Sequence, residues 1–396
     1  MPPTGLPTID SLDVADKRVL VRCDLNVPLK DGRITDDLRI RAAVPTLQDL
    51  LERGGRLVVC SHLGRPKGQV KEDLRLAPVA ARLGDLLGRS ITYVDEVVGD
   101  KVTEACASDA EIVLLENLRF EAGEEKNDPV LAERLASLAD AYVDDAFGAA
   151  HRAHASIVGV AERLPSAAGH LVADEVEKLE RLLRDPEPPF VAVLGGAKVS
   201  DKLDVIGNLL ERVDRICIGG AMAFTLLVAR GEEVGRSLVE EDRVDDVKQV
   251  LTQAESKGID ILLPTDVVAA DSPDEGAAYE TVPIGRIGDR MGVDIGPETE
   301  AAFSDAIVSA KTVLWNGPMG IFEIDAYASG TRAVAQAIAK ATSNGAYTVA
   351  GGGDSAAALK QLGMTDAVSH LSTGGGASLE LLEGKDLPGI AVLRKK

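Results

Sequence analysis

Two chemically different sets of residues stand at the ends of short apolar runs. The first half of the chain offers Arg22, Asp24, Asn26, His62, Arg65, Arg119, His151 and Arg152. Arginine presents a rigid fork of donors, so several arginines with one histidine suit a small, highly charged anion. The second half offers glycine-rich turns, two lysines and an aspartate. Gly195-Gly196-Ala197-Lys198 follows an apolar run, and its small residues let backbone N–H groups approach an anion closely. Lys198 can then meet a phosphoryl group, with Lys202 one turn further on the same face if a helix begins here. Gly351-Gly352-Gly353-Asp354-Ser355-Ala356 forms a second turn, and Asp354 adds a carboxylate suited to Mg²⁺. The third turn is Ser372-Thr373-Gly374-Gly375-Gly376-Ala377-Ser378, where adjacent glycines cost too much backbone entropy for a plain loop. Each cluster alone also reads as a tight turn before a solvated helix, and Asp354 as a helix cap. Together the three favour phosphate binding.

These residues need elements to position them. Short β-prone runs cover 18–22, 57–60, 112–115 and 141–143, separated by helical periodicity such as 40–53 and 129–139. Apolar runs alternating with amphipathic helices indicate parallel sheet covered on both faces. A charged helix over 172–184 interrupts the pattern, with Val176, Leu179 and Leu183 on one stripe, and a proline-rich segment from Asp185 to Pro189 ends it. The same grammar then restarts with runs at 190–194, 215–218, 260–263, 312–315 and 346–350. The prediction is an α/β protein of two domains of similar size, each a parallel sheet with helices on both faces, joined by one helix. In such open sheets ligands sit beyond the carboxyl ends of the strands. A cleft between an anion half and a nucleotide half would suit group transfer.

Composition narrows the classes. The chain has 396 residues, 43 Lys+Arg against 64 Asp+Glu, and a net charge of −21, which argues against polyanionic partners such as nucleic acid or anionic membrane. Aromatic residues make up 3%, too few for base-stacking platforms. The four cysteines are widely spaced with no CxxC pair, so free thiols in a reducing compartment are expected. No run approaches the roughly 18 apolar residues needed to cross a bilayer, and the first residues lack a secretion signal. A cytoplasmic location is expected. His151 and His154, three apart, would share a helix face, but two histidines make a poor metal site.

The sequence resembles the phosphoglycerate kinase family along its whole length. The resemblance is carried by the segments Arg18 to Pro28, Ser61-His62-Leu63-Gly64-Arg65-Pro66, Leu115-Glu116-Asn117-Leu118-Arg119-Phe120 and Asp145 to His154. In the second half it is carried by Leu194 to Lys202, Trp315 to Glu323 and the two later glycine clusters. Leu25 stands where the family commonly has phenylalanine, and Cys23 replaces a commoner valine. The resemblance implies reversible, Mg²⁺-dependent phosphoryl transfer between ATP and 3-phospho-D-glycerate, giving ADP and 1,3-bisphosphoglycerate, by a monomer of two Rossmann-like three-layer α/β/α domains with parallel sheets, joined by a hinge helix about which they close. It implies a phosphoglycerate-binding domain over 1–171, an interdomain helix and linker over 172–186, a nucleotide-binding domain over 187–377, and a segment 378–396 that returns to the first domain.

Carried over by motif, the acid site comprises Asp24, Leu25, Asn26, Arg39, His62, Leu63, Gly64, Arg65, Arg119 and Arg152. The nucleotide site comprises Lys198, Lys202, Gly292, Asn316, Glu323, Gly352, Gly353, Asp354 and Ser355, with Asp354 holding the metal. Arg39, Lys198, Gly375 and Gly376 are the expected catalytic groups. Arg39 and Lys198 are assigned to the transferring phosphoryl group, and Arg65, Arg119 and Arg152 to the fixed 3-phosphate. Two rival readings stay open: a nicotinamide dehydrogenase, from the loose GxGxx[GA] pattern at Gly351, and a non-catalytic phosphometabolite-binding protein.

Overall fold

The computed structural model describes residues 5–395 and divides them between two compact units. The first comprises Met1–Glu177 together with Asp386–Lys396, and the second Lys178–Lys385. The helix His170–Arg184 carries the chain from one into the other, and its fully buried stripe is Val172, Val176, Leu179 and Leu182, with Leu183 only half-buried.

Each unit is built on a six-stranded sheet. In the first unit the order across the sheet is Thr92–Tyr93, Ile112–Leu114, Arg56–Cys60, Arg18–Cys23, Ala141–Asp145 and Ser166–Ala168, all parallel. In the second it is Asp260–Leu262, Arg215–Ile218, Phe190–Leu194, Thr312–Asn316, Tyr347–Gly351 and His370–Leu371, again parallel. The second order is 3-2-1-4-5-6 in chain sequence, with its reversal between Phe190–Leu194 and Thr312–Asn316. Strands covered on both faces are largely apolar, because no residue can turn to water: Phe190–Leu194 is apolar and buried at every position, and Ala141–Asp145 is equally buried but ends in Asp144 and Asp145. The helix Leu38–Glu52 packs Ile40, Ala43, Leu47 and Leu50 on the first sheet, the 3–4 spacing of one helix face.

Two features lie outside the expected pattern. A small antiparallel sheet of Tyr279–Pro283, Asp266–Ala270 and Met291–Ile295 is attached to the second unit, and a hairpin pairs Leu29–Lys30 with Arg33–Ile34. The cysteines are free, three of them buried. Among the described residues no helix is long and apolar enough to cross a membrane.

Candidate functional site

In the first unit the strand order switches direction between Arg18–Cys23 and Ala141–Asp145. A dense group of side chains stands beyond these strand ends. Asp24 accepts from Arg39 Nη1 at 2.8 Å, and Asn26 Oδ1 accepts the Gly64 N–H at 2.9 Å. Arg119 donates Nη1 to the Gly64 carbonyl at 2.7 Å and lies 3.2 Å from Glu125. Arg65, Arg119 and Arg152 line one open hollow of about 520 Å³ together with Glu125, Ala153 and His154. Leu25 and Leu63 are in a different position. Both side chains are buried in the core, and their backbones are tied to Ser61 Oγ (2.9 Å) and Asn117 Oδ1 (3.1 Å). Their part in the site is to fix the turns that carry Asp24, Asn26 and His62.

His62 is buried beside Arg22, whose Nη2 lies 3.1 Å from its Nδ1. Burial, with Arg22, Arg119, Arg39 and His154 around it, holds the His62 imidazole well below its ordinary pKa. Burial and the same arginine field, with Arg152 and His151, push His154 down to about 3. Both rings are therefore neutral at pH 7. His151 and His154 do not share a helix face, since the chain there is a turn between the short helices Phe147–Ala149 and Ala155–Gly159.

Several residues that support this site had no role in the sequence reading. Asn117 accepts the N–H groups of Leu63 and Arg119 (3.1 Å each) and donates to the carbonyls of Leu63 (2.7 Å) and Leu74 (3.0 Å). Buried Glu116 takes Arg75 Nη1 and the Leu76 and Asn117 N–H groups at 2.8–2.9 Å, plus the Tyr93 hydroxyl. Their position directly after an apolar run was a visible signal. Glu124 and Ser156, beneath Arg22, come from segments without one.

The second unit gathers the glycine turns at its switch point, the place where open α/β sheets bind ligands. One cavity, about 670 Å³, is lined by Lys198, Lys202, Asn316, Gly352, Gly353, Asp354, Ser355, Gly375 and Gly376, among others. An adjoining cavity of about 380 Å³ is walled by apolar groups including Phe224, Val267 and Met291, with Gly292 in its wall and exposed Glu323 at its rim. Asp354 is the carboxylate common to both among the described residues. The backbone packing tolerates no side chains: a Cβ on Gly195 would meet Pro318 O at 2.1 Å, and one on Gly292 would meet the Phe224 ring at 2.1 Å. Gly352 (φ 91°) and Gly375 (φ 52°) precede the helices Gly353–Gln361 and Gly376–Leu382 in left-handed backbone. Ser355 Oγ accepts the Gly317 N–H at 2.7 Å, tying the strand-end turns together.

Lys198 and Lys202 differ from expectation in their setting. The helix begins only at Leu203, so both lysines sit on the preceding turn and not on a helix face. Glu240 anchors that turn, accepting Ser200 Oγ at 2.6 Å and Ser200 N–H at 3.0 Å. Lys198 is exposed, whereas burial pushes half-buried Lys202 down to about 8. The turn after the first strand of this unit lacks the dinucleotide fingerprint, and the Gly351 triplet follows the fifth strand. The dehydrogenase reading fails on that topology.

Comparison with known proteins accords with this arrangement. The family model described as "Phosphoglycerate kinase" matches residues 9–385. The chain is 53% identical over 393 residues to a phosphoglycerate kinase of Thermosipho africanus, covering 98% of each chain. It is 54% identical over 392 residues to one of Moorella thermoacetica, covering 98% of this chain and 99% of that one. The structure of phosphoglycerate kinase from Coxiella burnetii superposes with a TM-score of 0.91 at 42% identity, covering 98% of this chain and 99% of the other. That of Pyrococcus horikoshii gives 0.85 at 33%, covering 98% of both. With two parallel α/β units, an arginine-rich pocket and paired glycine-lined cavities, this chain belongs to the phosphoglycerate kinase family of enzymes.

Proposed function

We propose that the chain catalyses reversible phosphoryl transfer between ATP and the carboxylate of 3-phospho-D-glycerate. The observation that carries this reading is the pairing of an arginine hollow in one unit with adjoining polar and apolar cavities at the switch point of the other. Residues 1–171 bind the acid and 187–377 the nucleotide, with 172–186 as the hinge and 378–396 as the returning segment. Arg65, Arg119 and Arg152 hold the 3-phosphate. Asp24, Asn26 and His62 orient the rest of the acid, on turns shaped by Leu25, Leu63 and Gly64. Gly292 borders the adenine, Glu323 the ribose, and Lys202, Asn316, Gly352, Gly353 and Ser355 the phosphate chain. Asp354 fits Mg²⁺, being a hard oxygen donor beside a phosphate-sized cavity, as suits an ion that keeps waters and shares phosphate oxygens. When bound, that ion offsets the charge of the phosphates.

The attacking group is a carboxylate already ionised at pH 7, so no general base is needed. The low basicity of His62 and His154 agrees with that, since a ring with so depressed a pKa is a poor proton acceptor. The protein's work is to align the reacting oxygens, exclude water and stabilise charge on the transferring group. Arg39 and Lys198, with the backbone of Gly375 and Gly376, supply that stabilisation, and closure of the units brings the two substrates in line. The reading extends to a monomeric cytoplasmic enzyme of glycolysis and gluconeogenesis with small-molecule partners. The net charge of −21 supports leaving nucleic acid and membranes out. In a coupled glyceraldehyde-phosphate dehydrogenase assay, NADH should be oxidised only when ATP, Mg²⁺ and 3-phosphoglycerate are all present. Turnover with ATP alone, or none with the full set, overturns the proposal.

A further inference from the structure

Arg22 is fully buried at the carboxyl end of the strand Arg18–Cys23. A guanidinium carries only donors, so each of its partners must accept. Nη1 donates to the Cys23 carbonyl at 2.6 Å, Nε donates to Ser156 Oγ at 2.9 Å, and Nη2 lies 3.1 Å from His62 Nδ1. Ser156 spends its own hydroxyl proton on Glu124 Oε1 at 2.6 Å, and its N–H goes to Oε2 of the same carboxylate at 3.1 Å. The guanidinium alone fixes the proton direction on both of its sides. Ser156 Oγ can only accept from Arg22, and Arg22 can only donate to the ring. Nδ1 of His62 must hold a lone pair, which leaves the ring proton on Nε2.

We infer that Arg22 is a positioning residue that locks His62 in its neutral Nε2–H form, so that the ring offers the acid substrate one donor and no charge. The functional half of this rests on the proposed reaction, whereas the proton position belongs to the ligand-free protein. The charged groups that act most strongly on the ring all disfavour its charged form: Arg22 from the first strand, Arg39 from the helix Leu38–Glu52, and Arg119 after Ile112–Leu114, while the carboxyls of Asp24 and Glu124 are engaged by Arg39 and Ser156. His154, itself neutral, is the remaining titratable neighbour. Neutrality has a chemical use. The acceptor carboxylate loses negative charge as it attacks, so an imidazolium beside it would stabilise the ground state more than the transition state. A neutral N–H orients the acid without that cost.

The test is long-range ¹H–¹⁵N correlation spectroscopy of the full-length, ligand-free protein with ¹⁵N-histidine, His62 being assigned by loss of its signals in His62→Gln. The expected result is a bare Nδ1 and a protonated Nε2 that do not titrate between about pH 5.5 and 7.5, the window of an ordinary histidine. A proton on Nδ1, or a titration inside that window, overturns the inference. Arg22→Met removes the donor while keeping an apolar chain of similar length. In it, His62 Nδ1 loses the donor that fixes its lone pair, so signals of the Nδ1–H form should appear and KM for 3-phosphoglycerate should rise several-fold, while burial still holds the ring's pKa down. A folded variant whose His62 stays unprotonated at Nδ1, with an unchanged KM, shows that Arg22 is not responsible. If the variant does not fold, the wild-type spectrum decides. A spectrum as expected without phosphoglycerate-dependent turnover would refute the reaction and leave the proton assignment standing.

Discussion

The arginine pocket of the first unit and the glycine cavities of the second are built by opposite means. In the first, charged side chains converge and are held by a buried lattice: Asn117 grips Leu63 and Arg119, Glu116 grips Arg75, and Glu124 and Ser156 hold Arg22. In the second, backbone makes the walls, Gly195 and Gly317 approach each other too closely for any Cβ, and Lys198 stands exposed. Side-chain arginines can be placed around a phosphate of fixed position and charge. Backbone N–H groups and a mobile lysine suit a phosphoryl group that changes partners, because a flexible point charge can follow it.

The largest expected effect separates chemistry from binding within the first unit. Arg39→Ala should lower kcat by roughly 10²- to 10³-fold, the scale of losing one preorganised donor. Arg65→Ala should act mainly on KM for 3-phosphoglycerate, because a fixed phosphate is bound alike in ground and transition states. Steady-state kinetics with both substrates varied decide it, and a larger kcat loss in Arg65→Ala would reverse the two roles. The backbone-built side is tested by Gly195→Ala. Its Cβ would lie 2.1 Å from the Pro318 carbonyl, so the turn must move, and displacement of about 1 Å costs on the order of 10²-fold in turnover. Calorimetric binding of 3-phosphoglycerate should persist, and wild-type kcat/KM for ATP would contradict the account.

Asp354→Ala should raise the Mg²⁺ needed for half-maximal rate by about tenfold or more, the loss of one charge-assisted contact of about 1.5–3 kcal/mol. An unchanged Mg²⁺ titration excludes the metal role. A smaller effect is expected from Asn117→Ala, which orphans buried backbone groups at Leu63 and Arg119. Denaturant unfolding should show about 1–3 kcal/mol of lost stability, with a raised KM for 3-phosphoglycerate and little change in KM for ATP. Equal changes in both KM values would mean that the lattice is not specific to the first unit.

The smallest effect is a pH dependence. Burial pushes the Asp145 carboxyl up to about 8, against hydrogen bonds from Thr46 and the Leu171 N–H. The folded state thus holds this proton more tightly than the unfolded chain, whose aspartates titrate near ~4. The resulting stability is complete below pH ~4 and is lost as pH rises through about 8. Asp145→Asn keeps the uncharged shape. Its melting temperature relative to wild type should therefore rise between about pH 5 and 9, where an equal offset at both ends would show no such linkage.

Much of the frame was legible in the sequence, for a physical reason. Strands buried on both faces leave continuous apolar runs, so 190–194 and 215–218 stand as read. The antiparallel sheet was not legible. Its strand Tyr279–Pro283 is largely exposed, with Glu280 and Thr281 in water, so neither alternation nor an apolar run marks it. Many of the candidate residues were visible as polar groups or glycines at run ends, whereas Arg39, Gly292 and Glu323 came only from the family resemblance, and the partners of all of them were not visible. Nothing in sequence spacing joins Arg22 to His62 or Ser156, because those contacts span 40 and 134 positions. Lys198 and Lys202 have helical spacing, yet the turn held by Glu240 keeps the helix from starting before Leu203.

The helix Pro388–Arg394 has a bearing on how this chain acquires its structure. Its Gly389 N–H donates to the Ala150 carbonyl at 2.8 Å, and Leu387, Ile390 and Leu393 are buried in the first unit. The second unit is thus a continuous insertion within the first. A chain emerging from the ribosome can complete the inserted unit from contiguous sequence. The unit that starts earlier must wait for residues made after the inserted unit, and non-local closure of that kind is what slows folding. The half that presents its arginines first is the half that finishes second, and until the last helix arrives the apolar groups around Ala150 and Ile157 await their cover.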